Sequence, residues 1–137
     1  MPHFAKAALD RSLREHGIQY LHMPDLGGLR KPAPDSINTG WRNVGFRGYA
    51  DYMQTEDFRQ ALDRLIELAE ARRVAIMCAE AVPWRCHRSL ISDALTVRGV
   101  EVRHITGTGE PARHSLTAFA MVDNDRITYP APDTLGL

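Results

Sequence analysis

Val74-Ala-Ile-Met-Cys78 is a short apolar run that leads through Ala79-Glu-Ala-Val-Pro-Trp-Arg-Cys-His-Arg88 into Ser89-Leu-Ile-Ser-Asp-Ala-Leu-Thr-Val-Arg98, which has helical spacing. A strand of that length with apolar residues on both faces belongs inside a parallel sheet, covered on each side by helices. The reading of this stretch decides the fold. It also locates the chemistry, because residues 78–88 hold both cysteines of the chain, a carboxylate, an imidazole and two guanidiniums. In an open α/β sheet, the loop that leaves a strand and enters a helix is where ligands bind.

The neighbouring segments fit a β-α-β pattern. Upstream, Thr55 is placed to cap a helix whose first turn carries Glu56 and Asp57, and whose apolar face is Phe58, Leu62, Leu65, Ile66 and Ala69. Downstream, Leu90, Ile91, Ala94, Leu95 and Val97 form a helical stripe that stops at Gly99, and Val100 to Ile105 reads as a further strand. Nearer the start, Phe4 to His16 has helical spacing up to Gly17, and Ile18 to Met23 reads as a strand closed by Pro24 and Gly27-Gly28. Leu29 to Gly48 has no clean period, and a helix is expected to begin near Tyr49. Towards the end, Leu116–Val122, Asp123-Asn-Asp125 and Arg126–Tyr129 suggest an edge hairpin, with a helical turn and short strand as the alternative. The order implies one three-layer, Rossmann-like α/β domain over residues 1–137, with a small, mostly parallel sheet flanked by helices. Loops after parallel strands share one edge. Gly27-Gly28 with Arg30 and Lys31, the Cys78–Arg88 loop and Thr106-Gly-Thr-Gly109 are therefore expected to face a common crevice.

Composition narrows the function classes. The chain has 137 residues, is 44% apolar and 25% charged, and balances 17 basic against 17 acidic side chains. A net charge of zero gives no global attraction to nucleic acid or anionic membrane. No apolar stretch approaches the roughly 20 residues that a membrane span needs, and no basic-then-apolar leader stands at the start, so a cytoplasmic protein is expected. Two cysteines do not make a disulfide framework, and a reducing compartment keeps both as thiols.

The assembled residues resemble a known family. Cys78-Ala-Glu80 followed by Cys86-His-Arg88 and Ser-Leu-Ile-x-Asp-Ala-Leu is similar to the signature of the domain-of-unknown-function family DUF488. The resemblance continues at Tyr20-Leu-His-Met-Pro-Asp-Leu-Gly-Gly28, at Phe46-Arg-Gly-Tyr-Ala-Asp-Tyr-Met53 and at Val102-x-His-Ile105. It implies an α/β fold with a shared polar pocket and brings no established reaction. Members usually open with a strand carrying Gly-His-Ser and a second ending in Asp-Val-Arg, ahead of the Pro-x-Phe matched by Pro2-His-Phe4. Neither is found here, so the expectation is a chain that begins inside the family domain or one that has lost two strands.

Three chemistries suit the constellation. Cys86, beside Arg85, His87 and Arg88 at a helix N-terminus, is placed to be a thiolate nucleophile with Glu80 or His87 as acid or base. Cys78 ends an apolar strand and reads as packing more readily than as chemistry, though it borders the pocket. Cys78, Glu80, Cys86 and His87 are acceptable zinc or iron ligands, but seven residues separate the cysteines where tight knuckles have two to four. Adjacent Cys86 and His87 do not easily face one ion, and the residues name no cofactor.

Anion recognition is the third reading. Arg85 and Arg88, with Arg30, Lys31 and Thr106 across the crevice, suit a phosphate or carboxylate. The bland alternative is solvated arginines, or pairs with Asp25, Asp35 and Glu80. There is no Gly-x-x-x-x-Gly-Lys-Ser/Thr phosphate loop, and Cys78 to Arg85 has one residue too many for the cysteine-phosphatase spacing. The leading expectation is an enzyme acting on an anionic small molecule or nucleotide. The runner-up is a nucleic-acid-binding module using the basic Leu29–Gly48 loop, with Trp41 or Trp84 stacking a base. A third possibility, a member that pairs an open sheet edge in a homodimer, follows from the absent strands. His3, His16 and His114 read as surface residues, His22 as a weak pocket candidate, and His104 as a satisfied core histidine.

Overall fold

The computed structural model describes residues 6–28, 30–77 and 87–131. Its helices are α1 (Lys6–Glu15), α2 (Val44–Tyr52), α3 (Glu56–Ala71) and α4 (Arg88–Val97), with a 3-10 turn at Pro24–Leu26. The strands are β1 (Arg103–His104), β2 (Ala112–Arg113), β3 (Met121–Asp123) and β4 (Arg126–Thr128). Among the described residues no helix is long and apolar enough to cross a membrane.

Local chemistry sets the helix ends. The Asn43 side chain accepts from the Phe46 N–H at 3.1 Å and opens α2, and Thr55 accepts from the Phe58 N–H at 3.3 Å and opens α3. Asn43 moves the start of α2 five residues ahead of the expected Tyr49, into the stretch without a clean period. Gly17 and Gly99 have positive φ and close α1 and α4 as expected, each followed by a residue whose N–H reaches back to Leu13 or Leu95.

Among the described residues the mostly parallel sheet is not formed. Among the described residues the strands make two separate antiparallel pairs, β1 with β2 and β3 with β4. The Rossmann-like α/β expectation is corrected accordingly. The reason lies in burial. Ile18 and Leu21 of one expected strand are 52% and 48% exposed, and Val74 and Met77 of the central one are 42% and 53% exposed. A central parallel strand needs neighbours on both edges and helices on both faces, and these residues have neither cover. Gln19 and Arg72 join the two segments through a side-chain bond of 2.6 Å, but no ladder connects them. The expected Val100–Ile105 strand shrinks to Arg103–His104, paired with Ala112–Arg113.

Apolar burial is met instead by helix faces. Tyr49 and Ala50 of α2, Phe58, Ala61, Leu62 and Leu65 of α3, and Leu90, Ile91, Ala94 and Leu95 of α4 share one core with Leu26, Ile127 and Tyr129. The expected stripes of α3 and α4 supply most of it, while Ala69 is exposed. The expected hairpin is present as β3–β4, with Asp123 opposite Arg126 and Asn124 at φ 55° in the two-residue turn. It lays Ile127 and Tyr129 onto the helices.

Trp41 packs edge-on to Phe46 and Phe119 at 5.1 and 4.9 Å between centroids and tilts against Tyr129 at 5.4 Å. That indole belongs to the wall of the core. A partly buried polar knot holds the loop ahead of it. Asp51 accepts from the Ala33 N–H, Ser36 Oγ and Asn38 Nδ2 at 2.7–2.8 Å, and Asn38, fully buried, accepts from the Tyr129 N–H at 2.8 Å.

Candidate functional site

The start of α4 meets the loop after the 3-10 turn. His87 caps α4 without a side-chain capping bond, and its ring lies 4.8 Å from that of Tyr49. A Cβ built on Gly28 would come within 2.9 Å of His87 Nδ1, so only glycine admits the ring here. Tyr49 is fully buried and donates to the Leu26 carbonyl at 2.8 Å, and Tyr52 donates to the Asp25 carbonyl at 2.6 Å. The two tyrosines of α2 thus fasten the 3-10 turn beneath His87. Arg30 lies 3.7 Å over the Tyr52 ring, and its guanidinium donates to the carbonyls of Gly27 and Pro24 at 3.3 and 3.4 Å.

The electrostatics of His87 follow from this packing. Burial lowers its pKa below the usual histidine value; a hydrogen bond with the Leu26 backbone opposes this, and the charges of Arg88 and Arg30 add to the lowering. Both cations therefore act on one imidazole and disfavour its protonation. Such a field favours an anion.

A second polar group stands farther along α4. Asp93 has no exposure. Its carboxylate accepts from His114 Nε2 at 2.7 Å, the Thr117 N–H at 3.1 Å, Thr117 Oγ1 at 2.7 Å and Tyr129 Oη at 2.8 Å. His114 Nδ1 is 2.7 Å from His104 Nε2. Burial, then His114 and Arg88, lower the pKa of His104, against the opposing pull of Asp93. Burial, then Asp93, push the Tyr129 hydroxyl up.

A family model described as Domain of unknown function DUF488 matches residues 1–95 of the chain, more than half of it. The chain belongs to the DUF488 family. No curated protein and no solved structure matches the chain significantly. The DUF488 match covers the three segments that meet at His87: Pro24–Gly28, the α2 tyrosines and the start of α4. The resembling Val102–Ile105 segment lies beyond the matched residues.

Of the expected site residues, Cys78, Glu80, Arg85 and Cys86 lie outside the described residues, as does Trp84. His87, Arg88 and Arg30 are brought together. Lys31 and Thr106 are exposed, and Thr106 sits in the β1–β2 connection with no hydrogen bond among the described residues. His22 is exposed. His114 corrects the surface reading, since its side chain is only 8% exposed. Sequence reasoning missed the Asp93–His114–His104 chain altogether. One signal pointed to it: Asp93 falls between Ile91 and Ala94–Leu95 on an otherwise apolar stripe, a place where a carboxylate needs partners.

Proposed function

We propose that this DUF488 member is an enzyme acting on a phosphate- or carboxylate-bearing small molecule or nucleotide, in a reducing cytoplasm that keeps Cys78 and Cys86 as thiols. Cys86 is the reactive thiol, Glu80 and His87 are proton-transfer or orienting groups, and Arg85 and Arg88 hold the anion, with Arg30, Lys31, Cys78 and Thr106 around them. The observation that carries the reading is the seating of the His87 ring on Gly28, which brings Arg30 to residues 57 and 58 positions away in the sequence. Cations gathered at a helix start also favour thiolate at the adjacent Cys86.

The nucleic-acid alternative has less behind it. Trp41 is taken up by Phe46, Phe119 and Tyr129, and Arg47 donates to the Trp41 carbonyl at 3.1 Å.

The test is alkylation of Cys86 by iodoacetamide against pH in a Cys78→Ser variant, with and without inorganic phosphate. The expected result is an apparent pKa below the ordinary thiol value of about 8.5 and slower alkylation in phosphate. Ordinary thiol reactivity with no protection would sink the proposal.

A further inference from the structure

The anion site leaves one ordered set of titratable groups unused. Asp93, buried on α4, and His114 and His104, carried by the β1–β2 pair and its flank, form a line of hydrogen bonds with both steps at 2.7 Å. The imidazoles are fixed by backbone as well. His104 pairs with Ala112 in the β1–β2 register, and the His114 N–H donates to the Val102 carbonyl at 2.8 Å.

Proton positions follow from the order of partners. Asp93 is the acceptor, so His114 donates through Nε2–H. A neutral His114 then presents a lone pair on Nδ1, and His104 must donate to it from Nε2. A neutral His104 keeps its own lone pair on Nδ1, the nitrogen not engaged with His114. The line therefore runs outward from a buried carboxylate to a proton acceptor. Its inner end stands near the anion site, because Asp93 lies five residues along α4 from Arg88, a rise of about 7.5 Å. Arg88 acts electrostatically on both His87 and His104.

We infer that His104 is the proton-accepting group of the anion site, with His114 and Asp93 as the positioning residues that fix its tautomer and stabilise its conjugate acid. A proton taken from a ligand hydroxyl or a water lands on His104 Nδ1, and the imidazolium returns it to the departing group. The charges facing His104 are those of His114, Arg88 and Asp93. The inference rests on the anion reading, deepens it, and is separable from it.

The experiment is an NMR titration of the full chain labelled with 15N at its histidines, from pH 5 to 9, with inorganic phosphate as the probe. Phosphate is expected to shift His87 and His104 with one common Kd and to raise the His104 pKa. Neutral His104 and His114 are expected as Nε2–H tautomers. In Asp93→Asn, which keeps an acceptor but removes the charge, the His104 pKa is expected to fall further. A response of His87 without His104 overturns the inference and leaves the anion site standing. No response from either ring removes both. If Asp93→Asn does not fold, the wild-type titration decides alone; if it folds with an unchanged His104 pKa, the relay is overturned.

Discussion

His114 Nε2 stands 2.7 Å from Oδ1 of Asp93, a side chain with no solvent exposure. Three further donors, from Thr117 and Tyr129, converge on the same carboxylate. Asp93→Ala leaves all of them facing a small apolar cavity. Stripping one partner from a buried charged network costs about 3–5 kcal/mol, a large part of the roughly 5–15 kcal/mol that holds a domain together. Tyr129→Phe, which removes one donor and keeps the ring, is expected to cost about 1 kcal/mol. Urea unfolding of the two variants measures both, and equal losses would contradict the central place of Asp93.

Stability is expected to fall on the acid side. The folded pKa values of His87 and His104 lie below the ordinary value of about 6.5. The unfolded chain therefore binds more protons than the folded one at acid pH, and stability rises with pH in that range. It is fully present above about pH 6.5 and is lost as the pH drops towards the folded values. A Tm series at descending pH measures this, with a shallower slope in His104→Gln; a Tm that rises on acidification contradicts it. Tyr129 works at the other end, where its raised pKa keeps the folded phenol protonated. The unfolded tyrosine ionises near pH 10, so stability falls above that value and Tyr129→Phe flattens the fall.

Gly48→Ala is expected to be strongly destabilising. A Cβ at this position would run into the carbonyl of Arg30 and the backbone of Lys31, which lie directly on α2. Backbone cannot step aside as a flexible side chain does, so the cost is expected at about 3 kcal/mol, the upper end for overpacking. The Arg30 segment would also leave Tyr52. Gly107→Ala is the control: a Cβ there meets nothing within 4 Å, and a change within about 0.5 kcal/mol is expected. Chemical denaturation of the pair checks the contrast.

Local signals were legible in the sequence and long-range pairing was not. Thr55 capped its helix, Gly17 and Gly99 ended theirs, and Leu90, Ile91, Ala94 and Leu95 faced the core, because each is decided within one or two turns. The DUF488 resemblance was legible for the same reason, being carried by short contiguous motifs. The parallel sheet was inferred from the apolar run Val74–Cys78, and an apolar run states a preference for burial without naming a partner. Part of the site was legible too: His87 and Arg88 met Arg30, though the expected route was a shared sheet edge and the observed one is a glycine beneath an imidazole. The Asp93–His114–His104 line was hidden because its members are 10 and 21 residues apart in sequence, and only the β1–β2 pairing and the return to α4 align them.

Trp41 supplies the last prediction, because it separates a core role from a base-stacking one. Its ring is enclosed by Phe46, Phe119 and Tyr129, with centroids 4.9–5.4 Å away. Each of those rings loses a packing partner in Trp41→Ala, and the loss is expected near 3 kcal/mol, the lower figure for a large aromatic because the indole is only half-buried. Oligonucleotide binding, measured at low salt and at a temperature where the variant stays folded, is expected to match wild type. Base stacking is worth about 1–3 kcal/mol per base when an aromatic is removed. A selective loss of affinity on that scale would therefore place Trp41 on a nucleic-acid surface and overturn its assignment to the core.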